Sequence, residues 1–369
     1  MPANNSAFAA RVHEIMDSSF RSPQHTRSTE SNKIPRARRK RSPAIPVRGG
    51  FVFARSCVLL LAGLAVLHPA ASFAQAWPTK TVRILTSEPG GGSDLSARLI
   101  AQGMAGPLGQ SVIVENRNGM VAAGILAKAQ PDGHTLLLFS SSVWLAPYIQ
   151  DNLPYDPAKD FAGVTLVSTS PNILIVHPGV AANSPRELIA LAKAKPGELN
   201  YASTVIGGSP QLAGELFKMM AGVNIVQVPF KGAGPGVLGV IGGQVQLMFP
   251  GAGAALTHIG TGKIRALAVT SAQPSPLAPG LPTLSATLPG YESVSMVAVF
   301  VPARTPPKIV GRLNEEIVGV LKRAEARDRL FKIGIEVVGS SPQELAATMK
   351  ADMTRMGKVI RDARIHEPK

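Results

Sequence analysis

The chain has 369 residues, 45% hydrophobic and 17% charged, with 38 Lys+Arg against 23 Asp+Glu for a formal charge of +15. That composition is ordinary for a globular protein, and the length is enough for two domains with a large core. The basicity does not mark a nucleic-acid-binding body, because residues 1–76 hold 11 of the Lys+Arg and only 3 of the Asp+Glu, leaving no basic stripe elsewhere.

The stretch RSPQHTRSTESNKIPRARRKRSPAIPVRGG is polar and basic, with no apolar period of either kind. Residues 1–46 are therefore expected to be disordered, or to lie upstream of a true start near Val47. Residues 47–76 have the order of a secretory signal peptide: Arg48 and Arg55, an apolar run from Cys57 to Leu67, then Ala74-Gln75-Ala76. The apolar run is about half of the ~20 residues a membrane span needs. Cleavage after Ala76 would start the mature chain at Trp77, and cleavage after Ala74 is the alternative. Cys57 is the one cysteine, so the mature chain has no disulfide, thiol nucleophile or Cys-ligated metal. An exported, cysteine-free chain suits a bacterial periplasm.

From Trp77 onward short β-rich runs alternate with helical ones. Strands are expected over 82–87, 111–116, 135–140, 172–178, 199–203, 225–230, 245–249, 264–270, 294–301 and 333–338. This βαβα rhythm predicts an α/β fold with largely parallel sheets. Helix starts are marked by Ser184-Pro185 with Glu187 and Ser341-Pro342 with Glu344, and by Thr305-Pro306 and Ser209-Pro210 without the acid.

Two glycine-bearing loops run from a strand into a helix. In TSEPGGGSDLSARL the glycines let a ligand approach the backbone, Ser93 or Asp94 can cap the helix, and the first-turn N–H groups favour a carboxylate or phosphate. A plain capped turn explains the same residues. The second loop, NYASTVIGGSP, leads into the helix at Ser209, and two such loops in different lobes could face one another across a cleft. Nucleotide motifs fail: PGGGSD lacks the spaced third glycine of G-x-G-x-x-G, and around Gly262-Lys263 a P-loop is spoiled by Thr257 and Ile264. A nucleophile elbow at Gly207-Gly208-Ser209 is spoiled by Gln211. His134, His177, His258 and His366 have no metal-ligand spacing, no carboxylate pair stands out, and no cofactor or metal is expected. Ser140 to Ser142 could donate to an anion, and Lys231 could neutralise one or be solvated.

From Trp77 to about residue 365 the chain resembles the extracytoplasmic solute receptors of the tripartite tricarboxylate transporter family, also called Bug receptors. The resemblance rests on WPTKTVRIL, PGGGSDLSARLIAQ, LGQSVIVENRNG, AQPDGHTLLL, LPYDPAKDFAGVTLV, LNYAS, PQLAGELFK, VPFKG, GGQVQLMF, GKIRALAVTS and LPTLSATLPGYE in order. It implies a two-lobed, type II-like periplasmic binding protein, with two mixed, mostly parallel sheets joined by two crossing strands. Lobe 1 would comprise 77–178 with 299–369 and lobe 2 179–298, the chain crossing near 177–180 and returning near 298–302. A carboxylate would be held by Pro89, Gly90, Gly91, Gly92, Ser93, Asp94, Ser140 and Ser141 from the first lobe, and by Ser203, Thr204, Gly208 and Ser209 from the second. The implied function is capture of a small organic carboxylate by a monomer and delivery to a membrane permease, without catalysis. An exported α/β hydrolase using a loop serine, and a sensor read by a kinase, are the alternatives. Three positions depart from the family pattern. Glu88 replaces an apolar residue and Asn118 a proline; Pro250 replaces an aspartate that meets a ligand amine in some members, which argues against an amino-acid ligand.

Overall fold

The structure, a computed structural model, describes residues 77–204 and 206–366. The basic extension and the leader lie outside the described residues. One sheet has the order β11-β4-β10-β3-β1-β2 and the other β7-β6-β8-β5-β9. In the first, β1 (Val82–Thr86) pairs parallel with β2 (Val112–Asn116) and β3 (Thr135–Ser140). Antiparallel to these runs β10 (Val294–Pro302), beside β3; β4 (Phe161–Pro171) pairs antiparallel with β10 on one side and with the short β11 (Glu336–Val337) on the other. In the second, β6 (Asn200–Ser203) is parallel to β7 (Val226–Pro229) and β8 (Leu247–Met248). There β5 (Ile173–Val176) is antiparallel to β8 and to β9 (Arg265–Val269). Parallel pairing is confined to the βαβ halves, so the sheets are less parallel than the βαβα rhythm suggests.

All ten expected strand runs contain a strand, although 333–338 shrinks to two residues. The reading lacks β4, at 11 residues longer than any of them. It lies between two other strands, and its apolar positions fall in a block, Val164 to Val167, rather than alternating. Only Asn172 separates β4 from β5, so the chain changes sheets there rather than at 177–180. On the return, the whole of β10 pairs in the first sheet, placing the change before Val294 rather than near 298–302. We therefore place the lobe boundary at Asn172 and between Thr270 and Ser293. These three residues are buried and knotted together: Thr270 Oγ1 accepts from Asn172 N (2.8 Å) and lies 2.6 Å from the Ser293 carbonyl.

Helices cover both sheets. In lobe 1, α1 (Gly92–Leu108) follows β1, α2 (Gly119–Ala127) follows β2, and the short α3 (Ser142–Leu145) follows β3. Another short helix, α4 (Pro157–Asp160), leads into β4. Lobe 2 holds α5 (Pro185–Ala194), α6 (Ser209–Ala221), α7 (Ala233–Ile241) and the one-turn α8 (Ala252–Leu256). The chain finishes with α9 (Pro307–Leu321), α10 (Ala324–Phe331) and α11 (Pro342–Asp362). Ser184 and Ser341 cap α5 and α11 as expected, the latter in a full capping box with Glu344. Thr305 does not cap α9; its hydroxyl turns back to the Pro302 carbonyl, and Pro306 takes the cap position. Through Leu345, Met356 and Ile360, α11 joins a core that also contains Leu137 of lobe 1 and Phe217 of lobe 2.

Candidate functional site

A cavity of about 780 Å³ lies where the two lobes meet, lined from lobe 1 by Gly90 to Ser93 and Ser140, and from lobe 2 by Thr204, Ser209, Ala233 and Gly253. Its floor is the polar end of the crossing strands. There Ser168, Thr169 and Ser170 of β4 lie beside Val297, Met296 and Ser295 of β10, and Asn172 follows. Among the described residues no Asp, Glu, Lys, Arg or His lines it.

Three helices of two turns or more begin at this cavity. The caps of α1, α6 and α7 are Gly91, Gly208 and Gly232, and in none does a side chain cap the helix. The sequence expectation of a Ser93 or Asp94 cap, and of Ser209 as a cap, is corrected here: both serines lie inside their helices. First-turn N–H groups have no intrahelical acceptor, and the helix macrodipole adds about half a positive charge at each N-terminus. Away from the cavity, α2, α4, α5 and α11 are closed by their own Asn118, Asp156, Ser184 and Ser341, while α9 and α10 have no side-chain cap. The cleft is thus electropositive without a cation, which favours an anion held by neutral dipoles.

Of the twelve residues expected to hold a ligand, Gly90, Gly91, Gly92, Ser93, Ser140, Thr204 and Ser209 line the cavity. The other five do not. Pro89 is exposed and off the cavity lining. Asp94 is buried and holds the loop from behind, accepting from Gly90 N (3.0 Å), Arg98 Nε (3.0 Å) and Asn116 Nδ2 (2.8 Å). Ser141 is tied by its N–H to the Met296 carbonyl. Ser203 is buried, its Oγ accepting from Gln227 Nε2 at 2.9 Å. Gly208 turns its carbonyl to the N–H groups of Gln211 and Leu212. Glu88 and Lys231 are exposed and off the cavity wall.

The Arg98 guanidinium, with Asn116 and the Gly90 N–H, holds the Asp94 carboxyl down to about 2, against the opposing effect of burial. A carboxyl depressed in the folded state stabilises above its usual 3.8, and that contribution is lost as pH falls towards 2. Asp94→Asn is therefore expected to lower stability at pH 7, by about 1–2 kcal/mol for the loss of charge-assisted bonds to a half-exposed partner. It should also flatten the fall in stability between pH 4 and pH 2.5. Denaturant unfolding of both chains across this range checks both effects.

Missed from the sequence are the hydroxyls of the crossing strands, Asn172, and the Ile333–Ile335 segment. Asn172 Nδ2 donates to Ser209 Oγ at 2.8 Å, joining the strand crossing to the head of α6. The polar run Ser168-Thr169-Ser170 ahead of an apolar strand was the available signal. His134 lies against Trp77, His177 beside Gly179, and His258 in the turn after α8; none lines the cavity.

Two α/β lobes closing on an uncharged, N–H-rich cleft define a two-lobed solute-binding protein. The profile of the tripartite tricarboxylate transporter family receptor matches residues 96–365, and the chain belongs to that family. BugT of Bordetella pertussis is 32% identical over 296 residues, covering 78% of this chain and 91% of its own. Among solved structures, Rpa4515 of R. palustris, determined with adipate, is 35% identical with a TM-score of 0.67 over 78% of this chain and 99% of its own. MatC from Rhodopseudomonas palustris, with bound malate, is 29% identical with a TM-score of 0.64 over 77% and 100%.

Proposed function

We propose that this chain is an exported, periplasmic receptor that captures a small organic carboxylate between its lobes and hands it to a membrane permease. It acts as a monomer and breaks no covalent bond. The observation that carries this reading is the cleft itself: three uncapped helix N-termini and a hydroxyl floor converge on one cavity that, among the described residues, has no charged side chain on its wall. The relatives solved with adipate and malate support it. Gly90 to Ser93, Ser140, Thr204 and Ser209 contact the ligand, with Ser168, Thr169 and Ser295 beneath it; Pro89, Asp94, Ser141, Ser203 and Gly208 support the loops. A hydrolase would need a histidine within reach of a cleft serine, and none of His134, His177 and His258 reaches the lining. Among the described residues no helix is long and apolar enough to cross a membrane.

Ligand-stripped protein should be stabilised by at least one di- or tricarboxylate or aromatic acid. At a hundred times its Kd a ligand contributes about 2.7 kcal/mol, a rise in Tm of roughly 5 °C or more for a chain of this size. No shift across a broad acid panel would refute the proposal.

A further inference from the structure

The cavity has two chemically different walls, and the second is supplied by three residues after α10. Ile333 and Ile335 both line it, and Ile333 is 41% exposed, an unusual setting for a large aliphatic side chain beside a cavity. The segment bridges the lobes. A Cβ placed on Gly92, the first residue of α1, would fall 2.6 Å from Ile335 Cδ1, and one on Gly253 of α8 would fall 2.3 Å from the Ile333 carbonyl oxygen. The Ile335 side chain therefore stands beside the head of α1 and the Ile333 backbone against α8, with Ala254 and Ala233 continuing the apolar surface.

Several polar groups of the cleft are meanwhile engaged by the protein. Ser170 Oγ donates to the Gly334 carbonyl at 2.7 Å, Ser209 and Asn172 bond one another, and Ser140 Oγ lies 2.9 Å from Ser142 Oγ. A ligand hydroxyl turned towards Ile333 or Ile335 would lose water and gain no partner, whereas a methylene there would be buried against hydrocarbon.

We infer that Ile333 and Ile335 are the specificity-determining residues of the cleft, and that they select acids with a hydrocarbon body over hydroxylated ones. This rests on the carboxylate reading above and narrows it: the ligand is an unsubstituted aliphatic or aromatic acid.

Titration calorimetry of the ligand-stripped full chain tests it with succinate, glutarate, adipate, suberate and benzoate, set against malate, tartrate, citrate and mandelate. Affinity is expected to rise about fourfold for each added methylene until the cavity is filled, and malate to bind at least about tenfold more weakly than succinate. Ile335→Asn should flatten the chain-length series and narrow the gap between succinate and malate, with thermal unfolding of the variant separating lost selectivity from lost folding. Hydroxylated acids binding as tightly as their unsubstituted counterparts, or an unchanged series in Ile335→Asn, would overturn the inference and leave the carboxylate reading standing. Binding of none of the nine acids would overturn both.

Discussion

Gly334→Ala is expected to destabilise the closed protein by about 2–5 kcal/mol and to weaken acid binding at least about tenfold. Two costs add. Gly334 has φ +81°, where an L side chain costs about 1–2 kcal/mol. Its Cβ would also sit 2.3 Å from the backbone nitrogen of Gly253, in the other lobe. No rotamer relieves a clash with backbone, and overpacking of this kind typically costs about 1–3 kcal/mol. The alternative to bearing that cost is for the lobes to part here, which takes Ile333 and Ile335 away from α8 and opens the cavity. Two further variants divide the effect. Gly253→Ala introduces the clash with the Ile333 carbonyl at an ordinary φ. Gly280→Ala carries positive φ alone, at +86° with nothing within 4 Å of its Cβ, and should cost about 1 kcal/mol with binding unchanged. Thermal unfolding and calorimetry of the three variants check the division. If Gly334→Ala matches Gly280→Ala in both stability and affinity, the contact between the lobes at this point does not govern closure.

The same contact shows why part of the site was hidden in the sequence. The glycine loop at Gly90 to Gly92 and the hydroxyl residues at Ser140 and Ser209 were legible because each follows a strand and precedes a helix. That context gives a glycine or serine a reason to be there. Ile333 and Ile335 fell within a run expected to be a strand over 333–338, where alternating apolar residues normally face a core. Only Glu336 and Val337 pair; Gly334 between the isoleucines has φ +81°, and both line the cavity, Ile335 while also packing against the lobe 1 core. The strand β4 was lost for a related reason: its polar end, Ser168 to Ser170, looks like loop until the partner strand β10 is known. The domain boundary suffered with it: without β4 the expected strand over 172–178 has no neighbour before Asn172, and nothing local marks where the hydrogen-bonding partner changes. Helix caps divided in the same way. Ser184 and Ser341 carry a following Glu whose carboxylate takes a backbone N–H at the cap, that of Asn183 in the first and of Ser341 itself in the second, whereas Thr305 and Ser209, without one, bond elsewhere.

Asp352, which does not line the cavity, supplies the other large expected effect. It lies on α11 with its carboxylate buried, accepting from the Trp144 indole at 2.8 Å across 208 residues of sequence. Arg355, paired with Glu292, approaches its other oxygen no closer than 3.9 Å. Burial pushes the Asp352 carboxyl above its usual range; the Trp144 bond and Arg355 oppose this without reversing it, and Glu292 adds to it. A carboxyl raised in the folded state binds its proton more tightly there than in the unfolded chain. Its favourable contribution is therefore complete below the usual 3.8 and is lost as pH rises through the folded value. At neutral pH the ionised form is a net cost that the Trp144 hydrogen bond offsets only in part. Asp352→Asn keeps an acceptor for the indole and removes the charge, so it should be at least as stable as the parent at pH 7, with the advantage gone near pH 4. Asp352→Leu leaves the Trp144 N–H buried without an acceptor and should cost about 2–4 kcal/mol at pH 7. Denaturant unfolding at both pH values separates the two roles. An Asn variant as damaged as the Leu variant would mean that the charge, through Arg355, stabilises the helix that spans both lobes.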